Sequence, residues 1–341
     1  MENAVQAAMN NPYPFDSELR TIQGNIERAM RSMIDGPVDL DALRPTIGVL
    51  PSGQLNAVSM LAPGRVPGYL VVFEDQMPSF AYQFCKLMTW ALPRGEDAGN
   101  GQVTLQMSPE LVAGRIAEEP RIAEWFTNLV VAYARTGQVA GTPGNETAMP
   151  PGYFKMAGRL ASALEHFIVG HEHAHILMGH LEKAGTRKGV LPVADVETLA
   201  YSWQQELDAD MLGAAFAINA GIQYDEGTMT DGFWGITIFF DAMEVMDRAV
   251  ALLQTGDEQA RQLGSHPPSY LRKQRLREFL PKMGGDDAAG QAQVSTALGV
   301  TGVQEKITDL LWERARPRLE QLRKAGVAPA PIWRSIPKEA G

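Results

Sequence analysis

Four of the six histidines of this chain lie within twelve residues, in the segment VGHEHAHILMGH at positions 169–180. His171 and His175 are four residues apart, so on a helix their rings lie one above the other and can converge on one metal ion. Glu172 projects about 100° around the helix axis from His171, where it can reach a water molecule at that ion. The H-E-x-x-H pattern therefore predicts a metal site with a general base beside it.

A zinc site with two imidazoles and a water lacks one protein ligand. The best candidate is Glu206 in QQELDADMLGAAFA, where Asp210 follows one helical turn later. Glu206 can complete a site of two histidines and one carboxylate. Asp210 can accept a hydrogen bond from the far nitrogen of a ligand histidine, which would fix the tautomer of that ring. We expect one zinc ion per chain.

The alternative to a metal site is a helix whose histidines are surface residues or hydrogen-bonded core residues. The apolar positions of this helix, which include Leu164 and Ile168, continue directly into His171 and His175. Burying two neutral imidazoles without partners would be costly, and this favours the metal site.

The other histidines of the segment are not expected to be ligands. His173 points about 200° away from His171, and His166 is off the ligand face. His180, near the end of the helix, is expected to be a favourable partner of the helix dipole.

The elements that must position these residues are mainly helical, with a small sheet near the amino terminus. Residues 46–50, 55–61 and 68–74 are rich in β-branched and aliphatic residues and are separated by Pro and Gly, which predicts short strands. Ser108 is expected to cap a helix with Pro at its first position. Further helices are expected over 153–181, from near Asp195, and over 230–254, 267–280 and 302–324, with loops or linkers at 136–152, 183–192 and 284–293 and an extended Pro-rich tail. The fold class is α+β.

Four regions follow from this pattern. Residues 1–75 form an N-terminal helix and the small sheet, and 76–150 form a helical insertion. Residues 151–282 form the zinc-binding catalytic region, and 283–341 contain a linker, a C-terminal helix and the tail.

Composition excludes several classes of protein. A hydrophobic content of 45% in 341 residues supports a sizeable globular core, and a net charge of −10 argues against a nucleic-acid binder. The single Cys85 fits a reducing compartment. The amino terminus lacks the pattern of a signal peptide, and the most apolar run, 232–240, is shorter than the ~20 residues of a membrane span. We expect a cytoplasmic protein without a membrane span.

Together the motifs resemble the gluzincin metallopeptidases, and most closely the family of the CAAX prenyl protease and the heat-shock protease HtpX, with its soluble minigluzincin relatives. That family often continues its zinc helix to a second Gly-His, as at Gly179-His180. It has an Asn-Ala strand along the cleft, as at Asn56-Ala57, and a Ser/Thr-His-Pro…Arg segment, matched by His266 and Arg272. The resemblance covers roughly 45–75 and 155–280. The membrane helices of the two named branches are absent, and 76–150 is longer than in the small relatives.

The resemblance implies a zincin-like fold, with its sheet packed on the H-E-x-x-H helix, and a zinc-dependent endopeptidase. His171, His175 and Glu206 would hold a zinc ion that activates water, and Glu172 would be the general base. The peptide or protein substrate would bind along the strand containing Asn56-Ala57. His266, supported by Arg272, would stabilise the oxyanion, although Pro267 and Pro268 also allow His266 to be a loop residue before a helix.

Three alternatives remain at this level. Soluble size, Asn56-Ala57 and the helical insertion also resemble the phage-exclusion peptidase Lit, a site-specific protease of a host protein. A non-catalytic zinc-binding regulator would not need Glu172, which is present. A metal-dependent hydrolase of small amides would use the same residues. The sequence does not identify the substrate, the oligomeric state or a latent form.

Overall fold

The computed structural model describes residues 16–50, 57–62, 68–95, 105–139, 151–183, 185–188, 197–200, 202–260 and 266–333. Its helices are α1 (Asp16–Met33), α2 (Met77–Trp90), α3 (Pro109–Glu118), α4 (Pro120–Thr136), α5 (Pro151–Leu177), α6 (His180–Lys183), α7 (Trp203–Tyr224), α8 (Met229–Thr255), α9 (Ser269–Met283) and α10 (Ala288–Lys324). Its strands are β1 (Thr46–Leu50), β2 (Ala57–Leu61), β3 (Tyr69–Glu74), β4 (Gly185–Lys188) and β5 (Glu197–Ala200). This is the mainly helical α+β architecture that the sequence predicts.

The three-stranded sheet has the order β1-β3-β2, with β1 parallel and β2 antiparallel to β3. Among the described strands, β2 therefore lies at an edge, and it packs against α5. Ala57 pairs with Phe73 at the start of β2. Asn56, the other residue predicted to line the cleft, lies outside the described residues.

Helix α5 is the central element, and it packs against α1, α2, α7 and α8. Its predicted apolar face is buried: Leu160, Leu164, Phe167 and Ile168 are at most 4% exposed. The ring of Phe167 packs against two aromatic rings of α8. Helix α5, which carries the histidine cluster, is thus fixed by packing on several sides, independently of any contact among the histidines.

Helix α7 approaches α5 at two glycines. An added Cβ on Gly213 would lie 2.6 Å from the backbone nitrogen of His171, and one on Gly170 would lie 2.9 Å from the carbonyl oxygen of Gly213. Both positions therefore require a residue without a side chain. The crossing brings the first turns of α7 close to the C-terminal half of α5.

Three sequence predictions are corrected by the structure. The helix expected over 153–181 ends at Leu177, because Gly179 turns the chain with a φ of +63°. The helix expected near Asp195 begins at Trp203, after β5, because Ser202 and Gln205 form its capping box. Residues 284–293 are not all linker, since Asp287 caps α10 by accepting from two backbone N–H groups.

Helix ends elsewhere follow the predicted signals. Ser108 caps α3 by accepting from the backbone N–H of Leu111, as expected from Pro109 at the first helical position. No helix within the described ranges is long and apolar enough to cross a membrane.

Candidate metal centre

The C-terminal half of α5 presents His171 and His175 on one face. Their Nε2 atoms are 3.1 Å apart, and the rings meet edge to face with centroids 4.7 Å apart. The two side chains are almost completely buried. The four-residue spacing thus brings together the two nitrogens that the sequence assigned to a metal.

Glu206 reaches this pair from the first turn of α7. Its carboxylate oxygens lie 3.7 Å from His171 Nε2 and 3.6 Å from His175 Nε2, and the residue is 0% exposed. Oε1 of Glu206 has no hydrogen-bond partner within the described part of the chain. His171, His175 and Glu206 form a buried group, with ligand atoms within 4.8 Å of one another, that could hold a metal ion.

The spacing of these atoms fits a tetrahedral ion. Ligand atoms at about 2.0–2.1 Å from zinc lie roughly 3.3 Å apart at tetrahedral angles. Here the two nitrogens are 3.1 Å apart, and Glu206 approaches His175 with Oε1 at 3.6 Å and His171 with Oε2 at 3.7 Å. A buried carboxylate oxygen without a partner is costly, and a cation at this point would remove that cost. The donor set, two imidazoles and one carboxylate, suits zinc.

Asp210 lies beside the other nitrogen of His171. Its Oδ1 is 3.0 Å from Nδ1 of His171, a hydrogen-bonding distance, although the ring is not aligned for a good hydrogen bond. Burial alone would lower the pKa of His171, but Asp210 reverses this effect, and the pKa is raised. The structure therefore places Asp210 beside His171, a candidate ligand, as the sequence predicts.

Arg272 of α9 holds Asp210 in place. Its Nε and Nη2 donate to the two oxygens of Asp210 at 2.7 and 2.5 Å, and Nη2 lies 3.7 Å from Oε2 of Glu206. The guanidinium also stacks over the ring of Phe240, with Cζ 4.8 Å from its centroid. A buried, bidentate arginine of this kind fixes the carboxylate it binds.

His266 precedes α9 and contacts Glu206. Its Nδ1 lies 2.6 Å from Oε2 of Glu206, and its side chain is 30% exposed, the largest exposure in this cluster. The family resemblance predicts that His266 donates to the oxyanion and that Arg272 supports His266. In the structure Arg272 and His266 approach the same oxygen of Glu206, and the bidentate partner of Arg272 is Asp210.

Glu172 is buried beside the three ligand candidates. It accepts a hydrogen bond from the Ser59 hydroxyl of β2, and its Oε2 has no partner within the described ranges. Burial raises its pKa, an effect that His171 and the Ser59 hydrogen bond reduce. A carboxylate with one oriented and one available oxygen can take up a proton.

Burial and neighbouring charges shift the pKa values of two carboxylates and one imidazole of the cluster. Burial alone would raise the pKa values of Glu206 and Asp210, but His266 and Arg272, respectively, hold them below their usual ranges. Burial lowers the pKa of His175 to about 2. Ionised carboxylates and a neutral imidazole are the protonation states that bind metal.

Two residues of this cluster were not assigned to it from the sequence. Ser59 shares a strand face with Ala57 because side chains alternate along a strand, so the predicted cleft strand was a signal for it. His180 lies 3.0 Å from His175, Nδ1 to Nδ1. The second Gly-His of the resembled family pointed to His180, but the contact of His180 with His175 depends on the turn at Gly179.

The remaining histidines have other partners. His173 bonds through Nδ1 to the carbonyl of Val169 at 2.8 Å, and His166 contacts Asn25 and the carbonyl of Ser162. Both therefore serve the packing of α5, consistent with the expectation that they are not ligands.

The chain has no match among protein-family models, curated proteins or solved structures.

Proposed function

We propose that this protein is a zinc-dependent endopeptidase that hydrolyses peptide bonds at the cluster on α5 and α7. The observation that carries the proposal is the convergence of His171, His175 and Glu206 next to the buried carboxylate of Glu172. A structural zinc site would be closed by a fourth protein ligand, and the group that the described residues form has three.

His171, His175 and Glu206 would hold the ion. Zinc, when bound, supplies Lewis-acid polarisation of the scissile carbonyl and activation of a water molecule. Asp210 and Arg272 keep His171 and Glu206 in position, since ligands oriented by neighbouring groups bind metal more tightly.

Glu172 is the proposed general base. The Ser59 hydroxyl orients one oxygen, so the other can accept the proton of the attacking water as its oxygen bonds to the carbonyl carbon. The same carboxyl then transfers that proton to the leaving nitrogen as the C–N bond breaks. The products are an amine and a carboxylic acid, which releases its proton to solvent, and Glu172 returns to its ionised form.

His266 is proposed to stabilise the negative charge on the carbonyl oxygen. Nδ1 donates to Glu206, so Nε2 is the nitrogen left for the substrate. The 30% exposure of its side chain leaves His266 accessible to a substrate.

Strand β2 offers the surface for an extended substrate. It is one of the two edge strands of the three-stranded sheet, it packs against α5, and Ser59 connects it directly to Glu172. A peptide that adds as a further strand would be held by backbone hydrogen bonds. Binding of this kind suits an endopeptidase for peptide or protein substrates with modest side-chain preference.

The test is digestion of a peptide library and of casein by protein loaded with zinc. We expect cleavage that is lost with a chelator and restored by zinc. Glu172→Gln should bind zinc like the wild type and lose hydrolysis, because an amide cannot act as the base. Glu165→Gln, which changes a carboxyl group seven residues earlier on α5, is the matched control and should cleave normally.

Near-wild-type cleavage by Glu172→Gln would overturn the assignment of the base. Zinc binding without hydrolysis of any peptide would instead favour a zinc-binding regulator. Cleavage of small amides alone would favour an amidase.

A further inference from the structure

His175 contacts two other histidines through different ring nitrogens. Its Nε2 lies 3.1 Å from Nε2 of His171, and its Nδ1 lies 3.0 Å from Nδ1 of His180. The rings of His175 and His180 are inclined at 67°, with centroids 5.1 Å apart. At this distance one Nδ1 must donate and the other accept, because two protonated or two bare nitrogens would repel each other.

We propose that His180 is a positioning residue that fixes the tautomer and the ring orientation of His175, an inference that rests on the metal site of the proposed function. When Nδ1 of His175 carries the proton and donates to His180, Nε2 presents its lone pair toward His171 and Glu206. When the proton is on Nε2 instead, that nitrogen cannot bind a metal. In this proposal Nδ1 of His180 is the acceptor, and it thereby selects the first form.

Each of the two ligand candidates on α5 thus has a polar neighbour at its Nδ1. His171 points Nε2 to the cluster and Nδ1 to Asp210, whereas His175 points Nε2 to the cluster and Nδ1 to His180. The partner of His171 is an anion held by arginine, and the partner of His175 is an imidazole. Carboxylates, carbonyls and waters are the usual partners of ligand histidines, so a second histidine is a distinctive feature of this site.

The turn after α5 makes the contact between the two histidines possible. On a continued helix, His180 would project about 140° from His175, five residues away. Instead α5 ends at Leu177, and Gly179 adopts a φ of +63°, a conformation that favours glycine. The chain turns back, and His180 begins α6 with its ring buried at 7% exposure. A role limited to the helix dipole would not require this return to His175.

Two substitutions of His180 distinguish a role in positioning the ring of His175 from a role in packing alone. His180→Phe keeps an aromatic ring of similar size without an acceptor, and should weaken zinc binding roughly 10–100-fold, the usual effect of losing a partner of a ligand histidine. His180→Asn should restore most of this affinity, because its amide oxygen can replace Nδ1 as acceptor. His166→Phe, which changes another buried histidine of α5, should leave zinc affinity unchanged.

The measurements do not require proteolysis. Zinc affinity is obtained by competition titration, and circular dichroism establishes that each variant is folded. In ¹⁵N-labelled wild-type protein, the N–H···N hydrogen bond should give a scalar coupling between the two Nδ1 nuclei. This second measurement does not depend on any variant folding.

Equal zinc affinity in wild type and folded His180→Phe would overturn the proposal, as would the absence of the coupling from zinc-loaded wild-type protein. Failure of the proposed function is distinguishable, because it would appear as zinc binding without peptide cleavage. In that case a loss of affinity in His180→Phe, recovered in His180→Asn, would still support the role of His180.

Discussion

The contact between His266 and Glu206 gives His266 two separable roles. Through Nδ1 it lies 2.6 Å from the carboxylate of a ligand candidate, and its side chain is the most exposed in the cluster. If it only held Glu206, its loss would reduce metal affinity. If it stabilises the oxyanion, its loss would reduce the rate of reaction after the substrate has bound.

We expect the second effect to dominate. His266→Phe should lower kcat roughly 10²–10³-fold, the usual loss for one oxyanion donor, with KM nearly unchanged. Arg272 still lies 3.7 Å from the same oxygen of Glu206, so zinc affinity should change little. Steady-state kinetics and zinc competition on the same preparation measure the two effects. His266→Gln, which retains an N–H donor, should recover part of kcat.

A wild-type kcat in His266→Phe would show that the ring is a loop residue before α9. A parallel loss of zinc and activity would show that it acts through Glu206.

At the level of elements, the site depends on how closely α7 approaches α5. Glu206 lies seven residues, about two helical turns, before Gly213. Because Gly213 has no side chain, the backbone of α7 can contact the backbone of α5 at His171. A displacement at Gly213 would therefore be transmitted along α7 to the carboxylate of Glu206, a candidate ligand. Close packing leaves little room for the displacement to be absorbed locally.

Gly213→Ala should consequently weaken zinc binding and destabilise the fold by about 1–3 kcal/mol, as overpacking does. A methyl group there would lie 2.6 Å from the backbone nitrogen of His171. Gly221→Ala on the same helix is the matched control, since an added Cβ there has no neighbour within 4 Å. The control should retain zinc affinity and gain slightly in stability. Chemical denaturation and zinc titration would test both variants, and equal zinc affinities would contradict the argument.

Local signals explain which elements could be predicted from the sequence. The three strands were recognised from runs of aliphatic residues between Pro and Gly, and α3 from its Ser108 cap. His171 with His175 and Glu206 with Asp210 were recognised because four residues bring side chains to one helical face. Each of these signals lies within a single element.

The remaining features depend on contacts between elements. The position of α9 determines that Arg272 binds Asp210, and no spacing within a sequence specifies that pairing. The partnership of His180 with His175 depends on the turn at Gly179. For α10, the polar composition of 284–293 concealed the Asp287 cap, which also requires a particular backbone geometry.

At the level of the whole molecule, buried carboxyl groups connect stability to pH. Glu74 ends β3, is 2% exposed, and accepts hydrogen bonds from the Tyr133 hydroxyl of α4 and the backbone N–H of Gln76. It thus joins the sheet to the helical body. Burial, with Asp75 as a further cause, raises the pKa of Glu74 from its ordinary value of 4.5 to about 8.

The sign of the pH dependence follows from this shift. Between pH 4.5 and about 8 the folded protein retains a proton on Glu74 that the unfolded chain has released. The stabilisation is therefore complete below the unfolded pKa and is lost as pH rises through the folded pKa, with a limiting slope of about 1.4 kcal/mol per pH unit for one proton.

We expect Glu74→Gln to remove this contribution, because the amide does not titrate and can still accept a hydrogen bond. The free energy of unfolding, measured with urea from about pH 5 to about pH 8, should fall less steeply with pH in the variant than in the wild type. Glu118→Gln changes an exposed carboxylate of α3 and should leave the wild-type slope unchanged. Parallel curves for Glu74→Gln and wild type would mean that Glu74 is ionised in the folded protein and that its hydrogen bonds outweigh the cost of burying the charge.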